Sequence, residues 1–288
     1  MKASIKKVFH YQLSYMAMLF LIVAAVLPAL ILVIFIYRKD KFEKEPIPQL
    51  LKGFVFGIFS LFASLLLSIP ARSIGLFPVE ASTFSEHLTT AFWGAAVPEE
   101  LAKFFFLWLL LKRNKYFNEY FDGIVYAVCV GMGFAAMENI IYLISYFDQW
   151  ATVGIGRAFV SIPAHFFLAV AMGYFYSKAK FGKPENRKQN LGLAICLPIL
   201  LHTAVDSLLM ITEILAISGA AFYAFLVLYI FMLSMSKQRI ETHLETDAAI
   251  LKAETTEKTA DAENVNDGVE AVLASTSNEK EDNGDLNS

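Results

Sequence analysis

Apolar residues run along this chain in long blocks separated by short polar ones. Seven blocks reach the roughly 20 residues that a helix needs to cross a hydrocarbon core. They are Ser14–Tyr37, Leu51–Pro70, Leu88–Leu111, Gly123–Phe147, Ala158–Ser177, Leu191–Ile211 and Ala216–Met235. Within each block the apolar residues are continuous rather than alternating, so helices are expected and a barrel is not. The pattern predicts an all-α, polytopic membrane helical bundle of about seven transmembrane helices. After residue 236 the blocks stop. Residues 1–236 are expected to form the bundle and residues 237–288 an acidic, disordered tail, because the segment is rich in Glu, Asp, Ser, Thr and Asn and poor in aromatics.

Composition agrees. The chain is 57% hydrophobic and 18% charged, where a soluble domain is nearer a quarter charged; its mean hydropathy is +0.52. The first block is too long for a signal peptide and lacks a clear cleavage site, so it reads as a retained helix. Cys129 and Cys196 both lie inside apolar blocks and read as buried small hydrophobes, not as a disulfide framework. Charge then sets orientation. The loops "RKDKFEKE", "KRNKYFNEY" and "SKAKFGKPENRKQN" follow the first, third and fifth helices, while Arg72 and Arg157 are nearly all that the intervening loops hold. Basic loops face the cytoplasm. A multi-pass integral membrane protein is predicted, with its N-terminus outside and its C-terminus cytoplasmic, although Lys2, Lys6 and Lys7 pull mildly the other way. The lipid bilayer is the expected surrounding, and no nucleic-acid partner is expected.

Ionisable residues in the interiors of the blocks form a short set. The third helix has Glu99, Glu100 and Lys103, the fourth Glu138, the fifth His165, and the sixth His202 and Asp206. At 1.5 Å per residue, Glu99 lies about 16 Å, Glu138 about 13 Å, His165 about 10 Å and His202 about 14 Å below the outer face. Each has a structural explanation: a Glu100–Lys103 ion pair, a helix-packing histidine, a His202–Asp206 pair, a carboxylate beside small residues. Four antiparallel helices bringing such groups to one level point instead to a shared site. Insertion costs about 2.5–3.5 kcal/mol per central charge, against about 0.3–0.6 kcal/mol recovered per Leu or Phe. The charges must therefore pair, protonate or meet water, which implies a wet cavity. Pro98 is expected to kink or open the third helix beside the acids.

Carboxylates and imidazoles around buried water suit hydrolysis. A Glu can take a proton from water and return it to a leaving amine, a His can assist or stabilise the oxyanion, and Asp206 can orient His202. Alternatively, His165, His202 and a Glu can bind zinc, which activates the water. HExxH, CxxC, P-loop and Gly-x-Ser-x-Gly motifs are absent, and "GMGFAAMEN" lies inside an apolar helix, not after a strand.

"PEELAKF" resembles the EExxK motif of the PrsW family of intramembrane proteases. Phe134 and Glu138 match its FxxxE, "PAHFFLAVAMGYFYSKAKF" its histidine block with His165, and His202 and Asp206 its HxxxD. The loop "YRKDKFEKEP" also resembles the family, and the likeness runs from about Tyr37 to Leu209 with the motifs in order. The resemblance implies a relative of the CAAX-processing and bacteriocin-processing endopeptidases, with a glutamate–histidine site in a helical bundle. It implies a bacterial inner-membrane enzyme that cuts a membrane-anchored protein; the best-known member makes the site-1 cut in an anti-sigma factor during a stress response. Carried over, Glu99 and Glu100 are the catalytic carboxylates, Lys103 orients them, Glu138, His165 and His202 complete the site, and Asp206 supports His202. Two adjacent glutamates without a standard zinc spacing favour a glutamic mechanism, with zinc left open. The rivals are a proton- or ion-coupled transporter, disfavoured by the lack of repeated halves, and a non-catalytic membrane scaffold.

Overall fold

A computed structural model describes the backbone of residues 2–214 and 218–282, and the side chains of residues 18–211 and 219–259. The described residues contain helices and no strands. In order they are α1 (Lys2–Lys39), α2 (Ile47–Ser73), α3 (Phe84–Thr89), a π-helical segment (Thr90–Ala96), α4 (Val97–Leu111), α5 (Tyr120–Ser145), α6 (Trp150–Phe159), α7 (Ser161–Phe181), α8 (Arg187–Ile214) and α9 (Ser218–Asp282). Six stretches are long and apolar enough to cross a membrane: Met18–Lys39, Ile47–Ser73, Tyr120–Ser145, Phe147–Phe181, Pro184–Ile211 and Gly219–Thr259. The expected third block is the seventh helical path, built from α3, the π segment and α4. The expected start of the last block, Ala216, lies outside the described residues.

α5 is the axis of the bundle. Every residue from Phe121 to Ala136 is buried, as befits a helix that is apolar all round. It packs against α1, α2 and α7. By contrast α1, α2 and α9 bury little of their apolar length and turn residues such as Phe20, Leu66 and Val227 outward. In water that surface would be a large aggregation hazard, whereas in lipid it is solvated. The close approach of α2 to α5 depends on two glycines. A Cβ on Gly57 would strike the Val130 carbonyl, and one on Gly133 would strike the Phe54 carbonyl. Gly123 and Gly173 make a similar crossing between α5 and α7. Cys129 is buried, as expected; Cys196 is exposed on α8, because it points away from the packed face.

Two differences from the sequence pattern shape the site. The expected fifth block is broken at Val160, so that α6 is a separate short helix leading into α7. The third path is not a plain α-helix. Pro98 has no N–H to offer the Gly94 carbonyl and its ring crowds that group. The turn ahead of it is wound as a π-helix, with the Val97 N–H reaching back to the Phe92 carbonyl. That widening gives the proline room and sets the angle at which Glu99 and Glu100 leave the helix. A capping box starts the path: Thr83 Oγ1 accepts from the Glu86 N–H at 3.3 Å, and Glu86 Oε2 accepts from the Thr83 N–H at 3.0 Å. The Ser82 and Thr83 N–H groups, with the Ser82 hydroxyl, hold the Glu86 carboxyl down at about 2.

The chain divides into two compact units, Met1–Leu244 and Glu245–Ser288. The first contains the bundle and every residue of the site. The second is helical as far as Asp282.

Candidate active site

Glu99, Glu100 and Lys103 lie on successive turns of α4. The spacing of three and four puts the ammonium beside both carboxylates: Lys103 Nζ is 2.9 Å from Glu100 Oε1 and 3.3 Å from Glu99 Oε2. It also lies 3.2 Å from His165 Nδ1 on α7 and 3.7 Å from the centre of the Phe134 ring on α5. The site therefore contains its own cation, wrapped on one side by an aromatic face.

His165 has a determined role in this network. An ammonium only donates, so His165 Nδ1 accepts from Lys103, and the Nε2–H donates to Glu138 Oε2 at 3.0 Å. Glu138 thus fixes the tautomer and leaves the Nδ1 lone pair facing the glutamates. His202, on α8, has Nδ1 2.9 Å from Glu100 Oε1. Its Nε2 lies 3.4 Å from Asp206 Oδ2, one turn along the helix, and 3.9 Å from Glu99 Oε2. The two imidazole rings meet edge to face at 5.3 Å.

All seven residues singled out in the sequence meet in this one network, drawn from four helices. Within it they divide. Glu99, Glu100, His165 and His202 bring one donor atom each to within 4.8 Å of one another. Lys103 sits among them, while Glu138 and Asp206 flank the histidines. The network is graded in depth: Glu100 is 1% exposed, Glu99 14% and Asp206 24%. Water and substrate can thus reach Glu99 and Asp206 more readily than Glu100.

One residue of the site was not singled out from the sequence. Arg157, on α6, places Nη2 2.5 Å from Glu138 Oε2 and Nε 2.9 Å from Asn139 Oδ1, with its guanidinium 3.8 Å over Tyr142. Asn139 in turn donates to the Ala25 carbonyl on α1 at 2.9 Å. In the sequence Arg157 reads as a loop charge one residue outside an apolar block. The available signal was its rarity: Arg72 and Arg157 are the two Lys or Arg residues in the loops that follow the second, fourth and sixth helices.

The four-donor group fits a metal ion by its chemistry. Carboxylates and imidazoles both ligate zinc, and two imidazoles with one carboxylate form a known catalytic set. The His165 lone pair already faces the group, and Glu100 Oε2 is buried without a hydrogen-bond partner. Lys103 competes for the same donors.

No solved structure matches this chain. Among proteins of known name, Protease PrsW of Clostridioides difficile (strain 630) is 38% identical over 193 residues, covering 66% of this chain and 79% of that protein. Protease PrsW of Geobacillus kaustophilus (strain HTA426) is 34% identical over 67% of this chain and 81% of its own. That of Bacillus subtilis (strain 168) is 31% identical over 66% and 82%. The family model described as "PrsW family intramembrane metalloprotease" matches residues 45–235, a span that contains every residue of the network. This chain belongs to the PrsW family and is an intramembrane protease.

Proposed function

We propose that the chain hydrolyses a peptide bond in a membrane-anchored protein at the Glu99–Glu100–His165–His202 group, and that it does so with a bound divalent metal, zinc being the best match. The convergence of those four donors carries the reading. The sequence pattern alone favoured a metal-free glutamic mechanism. The four-donor geometry and the family's description as metalloproteases support the metal reading instead.

Glu100, His165 and His202 would hold the metal, whose chemistry is to lower the pKa of a bound water towards neutrality and polarise the scissile carbonyl, with Glu99 beside them as the base. The remaining assignments belong to the chain. Glu99, the more accessible acid, takes the proton from water and returns it to the leaving amine. Asp206 holds the His202 ring from its open side. Glu138 and Arg157 hold His165 from behind. Lys103 balances the carboxylates and steers their oxygens.

The substrate is proposed to be a single-pass membrane protein, with an anti-sigma factor cut at its first site as the narrower candidate, drawn from the family resemblance. The proposed setting is a bacterial inner membrane, with the N-terminus outside and the site in the outer half. Residues 237–288 are proposed to be a cytoplasmic tail.

The test uses purified protein in detergent with candidate single-pass substrates. Wild type is compared with Glu99→Gln, Glu100→Gln and His202→Ala, with and without a chelator, and bound metal is measured by elemental analysis. Loss of cleavage in the variants, and on chelation with recovery on adding zinc, is expected. Normal cleavage by all three variants would falsify the site. Cleavage that survives chelation in metal-free protein would return the mechanism to the glutamates alone.

A further inference from the structure

A second feature lies apart from the Glu–His network. Where α1, α7 and α9 meet, they enclose a groove of about 270 Å³. Its floor is apolar, made by Phe35 of α1, Phe166 and Phe167 of α7, and Leu233 and Ile240 of α9. On α9 the lining residues Leu233, Ser236, Lys237, Ile240 and Leu244 recur at helical spacing, so one face of the helix forms a whole wall.

The rim is charged. Lys39 and Lys237 stand at the mouth, and Lys39 folds back so that its Nζ lies 5.7 Å from the centre of the Phe35 ring. A neighbouring depression on α1 shares Phe35 and Lys39 and adds Arg38 and Lys41. Four cations thus stand on the groove and the depression beside it. Among the residues that line the groove itself the carboxylate is Glu241, with Oε1 3.9 Å from Lys237 Nζ.

Ser236 supplies an independent observation. It is 2% exposed, and its Oγ has no hydrogen-bond partner. Serines in helices commonly satisfy themselves on a carbonyl one turn back, as Ser60 and Ser64 do at 2.6 and 2.7 Å. Ser236 does not. A buried hydroxyl left unpaired beside an apolar groove calls for an acceptor from whatever fills that groove.

We propose that this groove is a binding site for one anionic phospholipid. An acyl chain lies along the phenylalanines and leucines, an ester carbonyl accepts from Ser236 Oγ–H, and the phosphate lies between Lys39 and Lys237. The order matches a phospholipid read from its tail outward: hydrocarbon, ester, phosphate. The excess of cations selects the anionic class, because a zwitterionic lipid brings an ammonium of its own towards Arg38, Lys39 and Lys41. The site is independent of the protease chemistry.

Native mass spectrometry of the purified full-length protein tests this, with phosphatidylglycerol, phosphatidylethanolamine and inorganic phosphate added separately. The phosphatidylglycerol adduct is expected to survive activation that strips phosphatidylethanolamine, and inorganic phosphate is expected to leave the spectrum unchanged. The Lys39→Ala/Lys237→Ala double variant should weaken phosphatidylglycerol binding about 10-fold or more. Glu241→Gln, which removes the carboxylate from the groove's lining, should strengthen it, a gain that poor folding cannot imitate. Equal retention of the two lipids, an adduct with inorganic phosphate alone, or unchanged binding in both variants overturns the proposal.

Discussion

Arg157 shows how a residue can belong to a site without standing in its motifs. Its guanidinium holds Glu138, and Glu138 holds the His165 Nε2–H, so the ring that faces the glutamates is positioned from two residues away. Arg157→Ala is expected to lower cleavage about 10–100-fold, the usual cost of losing such an outer partner, and to lower metal affinity with it. Arg157→Lys should recover part of both; cleavage and metal titration on the same preparations check this. The seven motif residues were legible because charge is rare in apolar helices, and the Lys103 pairings follow from spacing alone. Arg157 was not, since the turn of chain that folds α6 back over Glu138 leaves no trace in periodicity. A second buried polar group lies at the other end of α5. Glu45 is 2% exposed and accepts from the Tyr126 hydroxyl. Burial pushes its carboxyl up to about 7, with Asp40 and Glu43 adding to the rise against the opposing bonds from Tyr126 and Asp122. A raised carboxyl favours the protonated form in the fold. Its contribution to stability is full below about pH 4.5 and is lost as pH rises through about 7. Thermal unfolding in detergent should therefore show stability declining across that window, and Glu45→Gln should flatten the decline.

At the level of the helices, the third path carries Glu99, Glu100 and Lys103 of the network and departs most from ideal geometry. One π turn ahead of Pro98 adds about a residue to the winding, which is about 100° of rotation for whatever precedes it relative to Glu99 and Glu100. Pro98→Ala restores the missing donor to the Gly94 carbonyl and allows the segment to relax to an α-helix. Cleavage is expected to fall at least about 10-fold with helix content unchanged, which circular dichroism and an activity assay on one sample decide. The apolar blocks reported that a helix crosses here, and Pro98 reported where it is disturbed. The π turn itself, and its packing against α8 and α2, are not encoded in a block pattern. The same holds for the α2–α5 crossing. Gly133 and Gly57 are visible as small residues, but their partnership is visible only once the helices meet. Gly133→Ala is expected to destabilise by about 1–3 kcal/mol or more, because the added methyl meets the Phe54 backbone, which has little freedom to move; a shift in the unfolding midpoint is the readout.

Sidedness emerges only from the whole bundle. The three loops rich in Lys and Arg are bound to one another. Asn118, after α4, donates to Glu43 between α1 and α2 at 2.8 Å, and Lys180, near the end of α7, donates to the Phe117 carbonyl. α9 reaches the same end, where the His243 ring stacks on Tyr174 at 4.2 Å. The charge pattern along the sequence anticipated that these loops share a face, and the contacts give that face a physical basis. In the proposed orientation that face meets the cytoplasm, where such loops tend to stay. Seven crossings would then put the C-terminus with the basic loops. Full-length fusions test this directly: a C-terminal green fluorescent protein should fluoresce, and a C-terminal alkaline phosphatase should be inactive, because each folds on only one side of a bacterial inner membrane. The reverse pair of results would invert the bundle, move the Glu–His network into the cytoplasmic half of the bilayer and transfer the search for substrates to bonds near that leaflet.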